Sequence, residues 1–277
     1  MADTVCVITG GTDGIGKAAA HALALQGAKL LIHGRDPEKG ARAVAEIKAR
    51  SHNPAVEFLQ ADFSSLADVR RLAVMLVDRA PRIDVLINNA GGMFARRKLS
   101  QDGYEMTFAV NHLAPFLLTH LLLGALQGGK PARIVTTSSE AHRRATLQLD
   151  QARSSYSAMG AYGSSKLANI LFTRALAKRL AGTPVTATCL HPGFVRTQFG
   201  RDMPPVGRVI FGLVSRFARS PEKGAETIVY LATSSQVQGA SGGYYFDCKL
   251  KQPAPAAQDE ATAEALWKAS EQWVGIG

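Results

Sequence analysis

Short apolar runs alternate along this chain with longer segments in which apolar residues recur at helical spacing. Residues 4–9, 28–33, 56–61, 85–88, 133–137 and 185–190 form the short runs, with a late one at 243–246. They are rich in Val, Ile and Leu without strict apolar–polar alternation, which is the pattern of strands covered on both faces. Between them, residues 15–26, 37–50, 66–78, 104–126 and 161–181 carry a helical period. Such strand–helix–strand alternation predicts an α/β fold, a single doubly wound domain with a central parallel sheet and helices on both faces. No repeat and no Pro/Gly/Ser-rich linker interrupts residues 1–250. Residues 251–257 (Lys-Gln-Pro-Ala-Pro-Ala-Ala) read as an extended connector, and 259–274 as a helix with Leu266 and Trp267 available to dock. The division is therefore a 1–250 domain and a 251–277 C-terminal helical extension.

Composition narrows the picture. The 277 residues are 46% hydrophobic and 19% charged, which describes a globular chain. Met1-Ala2-Asp3 leads straight into the first apolar run, leaving no basic region or hydrophobic signal core, so a cytoplasmic location is expected. No uninterrupted stretch of about eighteen apolar residues is present, so no integral membrane segment is expected. Cys6, Cys189 and Cys248 are far apart, and the seven histidines show no ligand spacing, so no metal is expected. The formal charge of +10 is spread over short runs, Arg70-Arg71, Arg96-Arg97-Lys98 and Arg143-Arg144, with no aromatic residues interleaved. That argues against nucleic acid and for a basic surface that attracts a phosphorylated small molecule.

The first strand ends in Thr9-Gly10-Gly11-Thr12-Asp13-Gly14-Ile15-Gly16, and a helix follows at once. Glycines in that position let the chain turn tightly and bring backbone N–H groups and a helix N-terminus to a pyrophosphate, the Rossmann-type arrangement. The spacing Thr-Gly-x-x-x-Gly-x-Gly resembles the short-chain dehydrogenase/reductase family. The resemblance runs along almost the whole chain through Asn88-Asn89-Ala90-Gly91, Val110-Asn111, Ser138-Ser139, Tyr162-Gly163-Ser164-Ser165-Lys166 and Pro192-Gly193. Within that family the chain is most similar to the retinol dehydrogenase-like reductases. They share its long Ser–Tyr gap, the run Ser164-Ser165-Lys166-Leu167-Ala168-Asn169, and the run from Gly243 to Lys249.

The resemblance implies a nicotinamide dinucleotide held by Gly10, Thr12, Asp13, Gly14 and Ile15, by Asp62 with Phe63 after the third strand, and by Asn89, Ala90 and Gly91. It also implies contacts from Tyr162, Lys166, Pro192, Gly193, Val195 and Thr197. At the end of the second strand an acid would bond the adenine ribose hydroxyls. Here His33-Gly34-Arg35-Asp36 offers Gly34 and then Arg35, whose guanidinium can clasp a 2′-phosphate, so NADP(H) is favoured over NAD(H). Asp13 argues mildly the other way. Asp36 also reads as a helix cap before Pro37, Asp62 as a cap for the helix from Leu66, and Thr197 as a cap.

Tyr162 and Lys166 lie four apart in a helical stretch and share a face. A tyrosine is a poor base at neutral pH, and a neighbouring ammonium favours its phenolate; lowering its pKa by ~3 units takes roughly 4 kcal/mol. The family pattern implies a catalytic tetrad of Asn111, Ser139, Tyr162 and Lys166. Ser139 would donate a hydrogen bond to the substrate oxygen, and Asn111 would hold a water that links Lys166 to solvent. The alternative for Asn111 is a satisfied core asparagine. Ser138 would cap or line the turn, and Tyr156 is a rival proton donor without a lysine four residues on. The added residues at 143–157 are expected near the substrate mouth.

Residues 198–220 resemble a variable substrate lid, with Val206, Val209, Ile210, Phe211, Leu213, Val214 and Phe217 against Arg208, Arg216 and Arg219. A hydrophobic alcohol, aldehyde or ketone suits that composition, and core packing of an ordinary helix or loose membrane contact suits it as well. The expected function is hydride transfer between NADP(H) and such a small-molecule substrate, by a homodimer or homotetramer. A catalytically silent NADP(H)-binding partner protein and a sugar-nucleotide epimerase or dehydratase are the alternatives.

Overall fold

The computed structural model describes residues 1–128, 131–147, 149, 156–195 and 218–276. Among the described residues, eight strands form one sheet in the order β3-β2-β1-β4-β5-β6-β7-β8. They are β1 (Val5–Thr9), β2 (Lys29–Gly34), β3 (Val56–Gln60), β4 (Val85–Asn88), β5 (Ala132–Thr137), β6 (Val185–Leu190), β7 (Tyr244–Phe246) and β8 (Lys249–Leu250). β1 to β7 pair in parallel, and β8 alone runs antiparallel, with Tyr245 opposite Leu250. The β7–β8 hairpin turns on Asp247 and Cys248, both at positive φ (48° and 60°). Sequence pattern does not announce β8, because this turn lacks the usual Asn-Gly or Gly-Gly pair.

Strand residues alternate between two cores. Val7, Leu31, Leu86 and Ile134 face the helices α3 (Leu66–Arg79), α4 (Met106–Leu126), α5 (Ala158–Arg179) and α7 (Glu260–Val274). Ile8, Ile32, Ile87 and Val135 face α1 (Gly14–Leu25), α2 (Pro37–Ser51) and α6 (Pro221–Thr233). That two-fold period explains the unbroken apolar strands.

Each helix starts on a side-chain cap. Asp13 accepts from the N–H of Gly14, Asp36 from those of Glu38 and Lys39, and Ser157 from that of Gly160. α3 is capped by Ser65, which accepts from the N–H of Asp68. Asp62, read from sequence as that cap, instead accepts from the N–H of Ser64. α4 contains a π-turn at Ala109–Leu113, ahead of Pro115. By length and composition α4 could cross a membrane (mean hydropathy 1.5), yet 72% of that stretch is buried inside this domain. In the sequence Asn111, His112, Thr119 and His120 interrupt the apolar run, so no continuous span stands out there.

α7 lies across α4 and α5. Trp267 meets Phe116 edge-on at 5.0 Å and stacks on Phe172, while the Arg179 guanidinium covers its ring at 4.0 Å. Buried His112 Nε2 and Ser270 Oγ are 2.9 Å apart, and Arg70 donates to the carbonyl of Val274 at 2.6 Å.

Candidate active site

The strand order reverses between β1 and β4, and the loops leaving their carboxyl ends are tied together there. Thr9 Oγ1 accepts from the N–H groups of Asn89 and Ala90, and Asn89 Nδ2 donates to the carbonyls of Thr9 and Gly10. Gly10 has φ +67°, and a Cβ on it would stand 2.9 Å from Ala90 Cα. A Cβ on Gly16 would stand 2.1 Å from the Gly10 carbonyl oxygen. Only glycine allows α1 to start this close to the strand, with its first N–H groups aimed outward. That cradle fits a dinucleotide pyrophosphate.

At the tip of β2, Arg35 is exposed beside Gly34, where a Cβ would stand 2.7 Å from Thr12 Cγ2 and would require the Thr12 side chain to shift. The Asp13 carboxylate is engaged by the N–H of Gly14 at 2.7 Å. Phe63 is buried, stacked on His33 at 4.2 Å, so its ring belongs to the core and only its backbone borders the β3 loop. Ile15 and Val195 both border Gly224 at the start of α6. Gly193 (φ +82°) follows Pro192, and its N–H donates to His191 Nδ1. Thr197 and lid residues 198–217 lie outside the described residues.

β5, α5 and the π-turn of α4 bring the four candidate catalytic residues together. The Tyr162 hydroxyl faces the Ser139 side chain, whose Oγ accepts from the N–H of Ala141. Ser138 points elsewhere, donating to the Lys166 carbonyl at 2.7 Å. Lys166 Nζ donates to the Thr137 carbonyl at 3.0 Å and lies 5.6 Å from the Tyr162 ring centroid. A Cβ on Gly91 would stand 3.0 Å from Asn111 Oδ1 and 3.3 Å from Lys166 Nζ, so the β4 loop closes over both. Asn111 Nδ2 donates to the Gly92 carbonyl and to Ser165 Oγ, and its Oδ1 accepts from the N–H of Gly92. Both amide hydrogens are thereby taken, and the side chain fastens loop to helix. The rival Tyr156 donates to the Phe94 carbonyl at 2.6 Å.

Electrostatics here differ from the sequence expectation. Burial pushes the Tyr162 hydroxyl up to about 12, only partly offset by the bond to Ser139. Burial also brings the Lys166 ammonium down to about 8. Desolvation outweighs attraction between the pair because Lys166 Nζ is turned to a backbone carbonyl.

Sequence reasoning missed Glu140, His142, His191 and Lys251. Glu140 Oε2 sits 2.9 Å from His191 Nε2 and 3.0 Å from Lys251 Nζ. Lys251 is 111 positions from Glu140, and no local spacing announces such a pairing.

Comparison with known proteins agrees with this geometry. A family model described as short chain dehydrogenase matches residues 4–205. Retinol dehydrogenase 14 of Mus musculus is 42% identical, over 98% of this chain and 85% of its own length. DnrU of Streptomyces sp. (strain C5), provisionally named as a daunorubicin C-13 ketoreductase, is 44% identical over 97% of this chain and 92% of its own. Among solved structures, a Mycobacterium paratuberculosis protein without assigned function superposes with a TM-score of 0.81 at 34% identity, covering 99% of this chain and 94% of that one. The RhlG/NADP active-site complex of Pseudomonas aeruginosa superposes with a TM-score of 0.71 at 27% identity, covering 88% and 94%.

Proposed function

We propose, from the premise that this chain belongs to the short-chain dehydrogenase family and its retinol dehydrogenase-like branch, that it interconverts a hydrophobic carbonyl compound and its alcohol with NADP(H). The observation that carries the reading is the Tyr162 hydroxyl placed against the Ser139 side chain beside buried Lys166, at the carboxyl edge of the sheet. The nicotinamide cofactor, when bound, supplies or accepts the hydride.

The chain's own residues handle the proton. In reduction, Tyr162 gives its hydroxyl proton to the substrate oxygen while Ser139 donates a second hydrogen bond to the same atom, where negative charge develops. Lys166, charged below a pKa of about 8, stabilises the phenolate left on Tyr162. Asn111 keeps the β4 loop and α5 in register around them. In oxidation the same proton travels back to Tyr162.

Preference for NADP(H) rests on exposed Arg35, on glycine rather than an acid at position 34, and on the engagement of the Asp13 carboxylate by its own helix. The names of the relatives, a retinol dehydrogenase and a provisionally named daunorubicin C-13 ketoreductase, favour a bulky apolar substrate.

The test is NADPH oxidation against a panel of retinoid, aliphatic and polycyclic aldehydes and ketones. Tyr162→Phe is expected to lower kcat roughly 10²–10⁴-fold with NADPH affinity retained. Arg35→Ala is expected to cut the NADPH-over-NADH preference by about tenfold, the loss of one charge-assisted contact. Tight NADPH binding with no turnover of any carbonyl overturns the enzyme reading, and turnover that survives Tyr162→Phe overturns the proton assignment.

A further inference from the structure

Ser139 stands at the head of a single 3-10 turn, Glu140–Arg144, to which the chemistry above gives no role. His142 within this turn is 1% exposed. Its Nδ1 lies 2.7 Å from the carbonyl oxygen of Ser139, and its Nε2 lies 3.1 Å from the backbone nitrogen of Ala254. A carbonyl oxygen can only accept and a backbone N–H can only donate. The two contacts together therefore fix the ring as neutral with its proton on Nδ1. Burial, which holds the ring's pKa below its ordinary value, favours the same state.

Ala254 belongs to the C-terminal extension, 112 positions away. The strap formed by residues 251–254 grips the turn at two further points. Lys251 Nζ donates to Glu140, and Arg143 Nη2 donates to the carbonyl of Gln252 at 2.7 Å. Of the three attachments, only His142 reaches Ser139 itself. A lone 3-10 turn has little stiffness of its own, yet the Ser139 hydroxyl has to face Tyr162 while its Oγ accepts from Ala141.

We propose that His142 is a positioning residue for Ser139, locking the serine's carbonyl through Nδ1–H while Nε2 anchors the ring to the C-terminal strap. The proposal rests on the reading of Ser139 as the donor to the substrate oxygen. It gives residues 251–254 a task in the active site, although none of them touches the reacting atoms.

A double-mutant cycle with Ser139→Ala tests it. His142→Ala is expected to lower kcat by about 10- to 100-fold through misplacement of the donor, with NADPH affinity unchanged within about twofold. In the Ser139→Ala background the same substitution should cost nothing further in kcat. His142→Asn, whose amide N–H can stand where Nδ1–H stands, should recover most of the rate, whereas His142→Gln should not. An unchanged kcat in His142→Ala, a full loss persisting without the serine, or equal rescue by Gln overturns the proposal. If His142→Ala does not fold, the wild-type ring decides by 15N-histidine spectra: the Nδ1–H tautomer is required, and the Nε2–H tautomer or a protonated ring at pH 7 refutes it. If wild type turns over no carbonyl, the hydride reading fails separately. The same spectra, and the position of Ser139 in a crystal structure of His142→Asn, then settle whether His142 holds the serine.

Discussion

Replacing Lys166 with Met should destroy turnover and yet stabilise the protein at neutral pH. Lys166 is 3% exposed, and burial lowers its pKa from the ordinary 10.5 to about 8. That difference corresponds to ~3 kcal/mol against the charged form in the folded state. Below pH 8 both folded and unfolded chains carry the proton, so the folded state bears the whole penalty. Between pH 8 and 10.5 the folded chain sheds the proton while the unfolded chain keeps it, and wild-type stability climbs relative to a chain without this lysine. Methionine keeps the length and apolar body of the stem but gives up the hydrogen bond to the Thr137 carbonyl, worth ~1 kcal/mol. That oxygen still accepts from Asn169 Nδ2 at 3.2 Å, so it is not orphaned. The net gain at pH 7 is therefore ~2 kcal/mol, or roughly 4–8 °C in Tm for a domain of this size. Thermal melts of cofactor-free wild type and Lys166→Met at pH 6.5, 8, 9 and 10 read it directly. The advantage should shrink across that series and change sign at its upper end, while NADPH-dependent turnover falls at least about 100-fold throughout. A variant less stable than wild type at pH 7, or a difference that does not vary with pH, refutes the reasoning.

Two other outcomes follow from the same structure. NADPH-dependent reduction should hold level through pH 7 and fall above about pH 8, as the ammonium that stabilises the Tyr162 phenolate loses its proton; pH profiles of kcat measure this, and a profile flat to pH 10 contradicts it. Trp267→Ala empties the contact between α7 and the aromatic pair Phe116 and Phe172, and should cost ~3–5 kcal/mol by denaturant unfolding.

The fold was legible because both faces of the sheet are covered, so Val- and Ile-rich runs marked the seven parallel strands, while the two-residue antiparallel β8 carried no such run. Element ends were less legible, since side-chain caps set them. The helix read as 104–126 begins at Met106 because the Glu105 carboxylate accepts from the N–H groups of Thr107 and Phe108. The helix read as 161–181 begins three residues earlier, at Ala158, behind Ser157. α6 carries a start signal in Ser220-Pro221-Glu222, yet sequence reasoning did not single it out. The π-turn at Ala109–Leu113 had no signature, because nothing in Ala-Val-Asn-His-Leu distinguishes an i→i+5 turn from an ordinary one.

In the site, residue identities were legible and ionisation was not. Sequence places a cation four positions from a phenol, and elementary electrostatics then predicts a more acidic tyrosine. Burial of both groups reverses that prediction, because each loses more by desolvation than it gains from the other while Lys166 Nζ is held on Thr137. The consequence is chemical. With its pKa raised to about 12, the Tyr162 hydroxyl keeps its proton across the neutral range, which is the state the proposed reduction requires. Under the proposed mechanism oxidation would need the phenolate, which at neutral pH a further positive charge near the ring would favour. An oxidised nicotinamide held by the Gly10–Gly16 cradle would carry such a charge, and a reduced one would not. The same buried pair would therefore present an acid to a carbonyl substrate and become a stronger base toward an alcohol when the oxidised cofactor is bound. A rise in Tyr162 phenolate absorbance on adding NADP+, absent with NADPH and absent in Tyr162→Phe, would show that coupling; identical spectra with both cofactors would refute it.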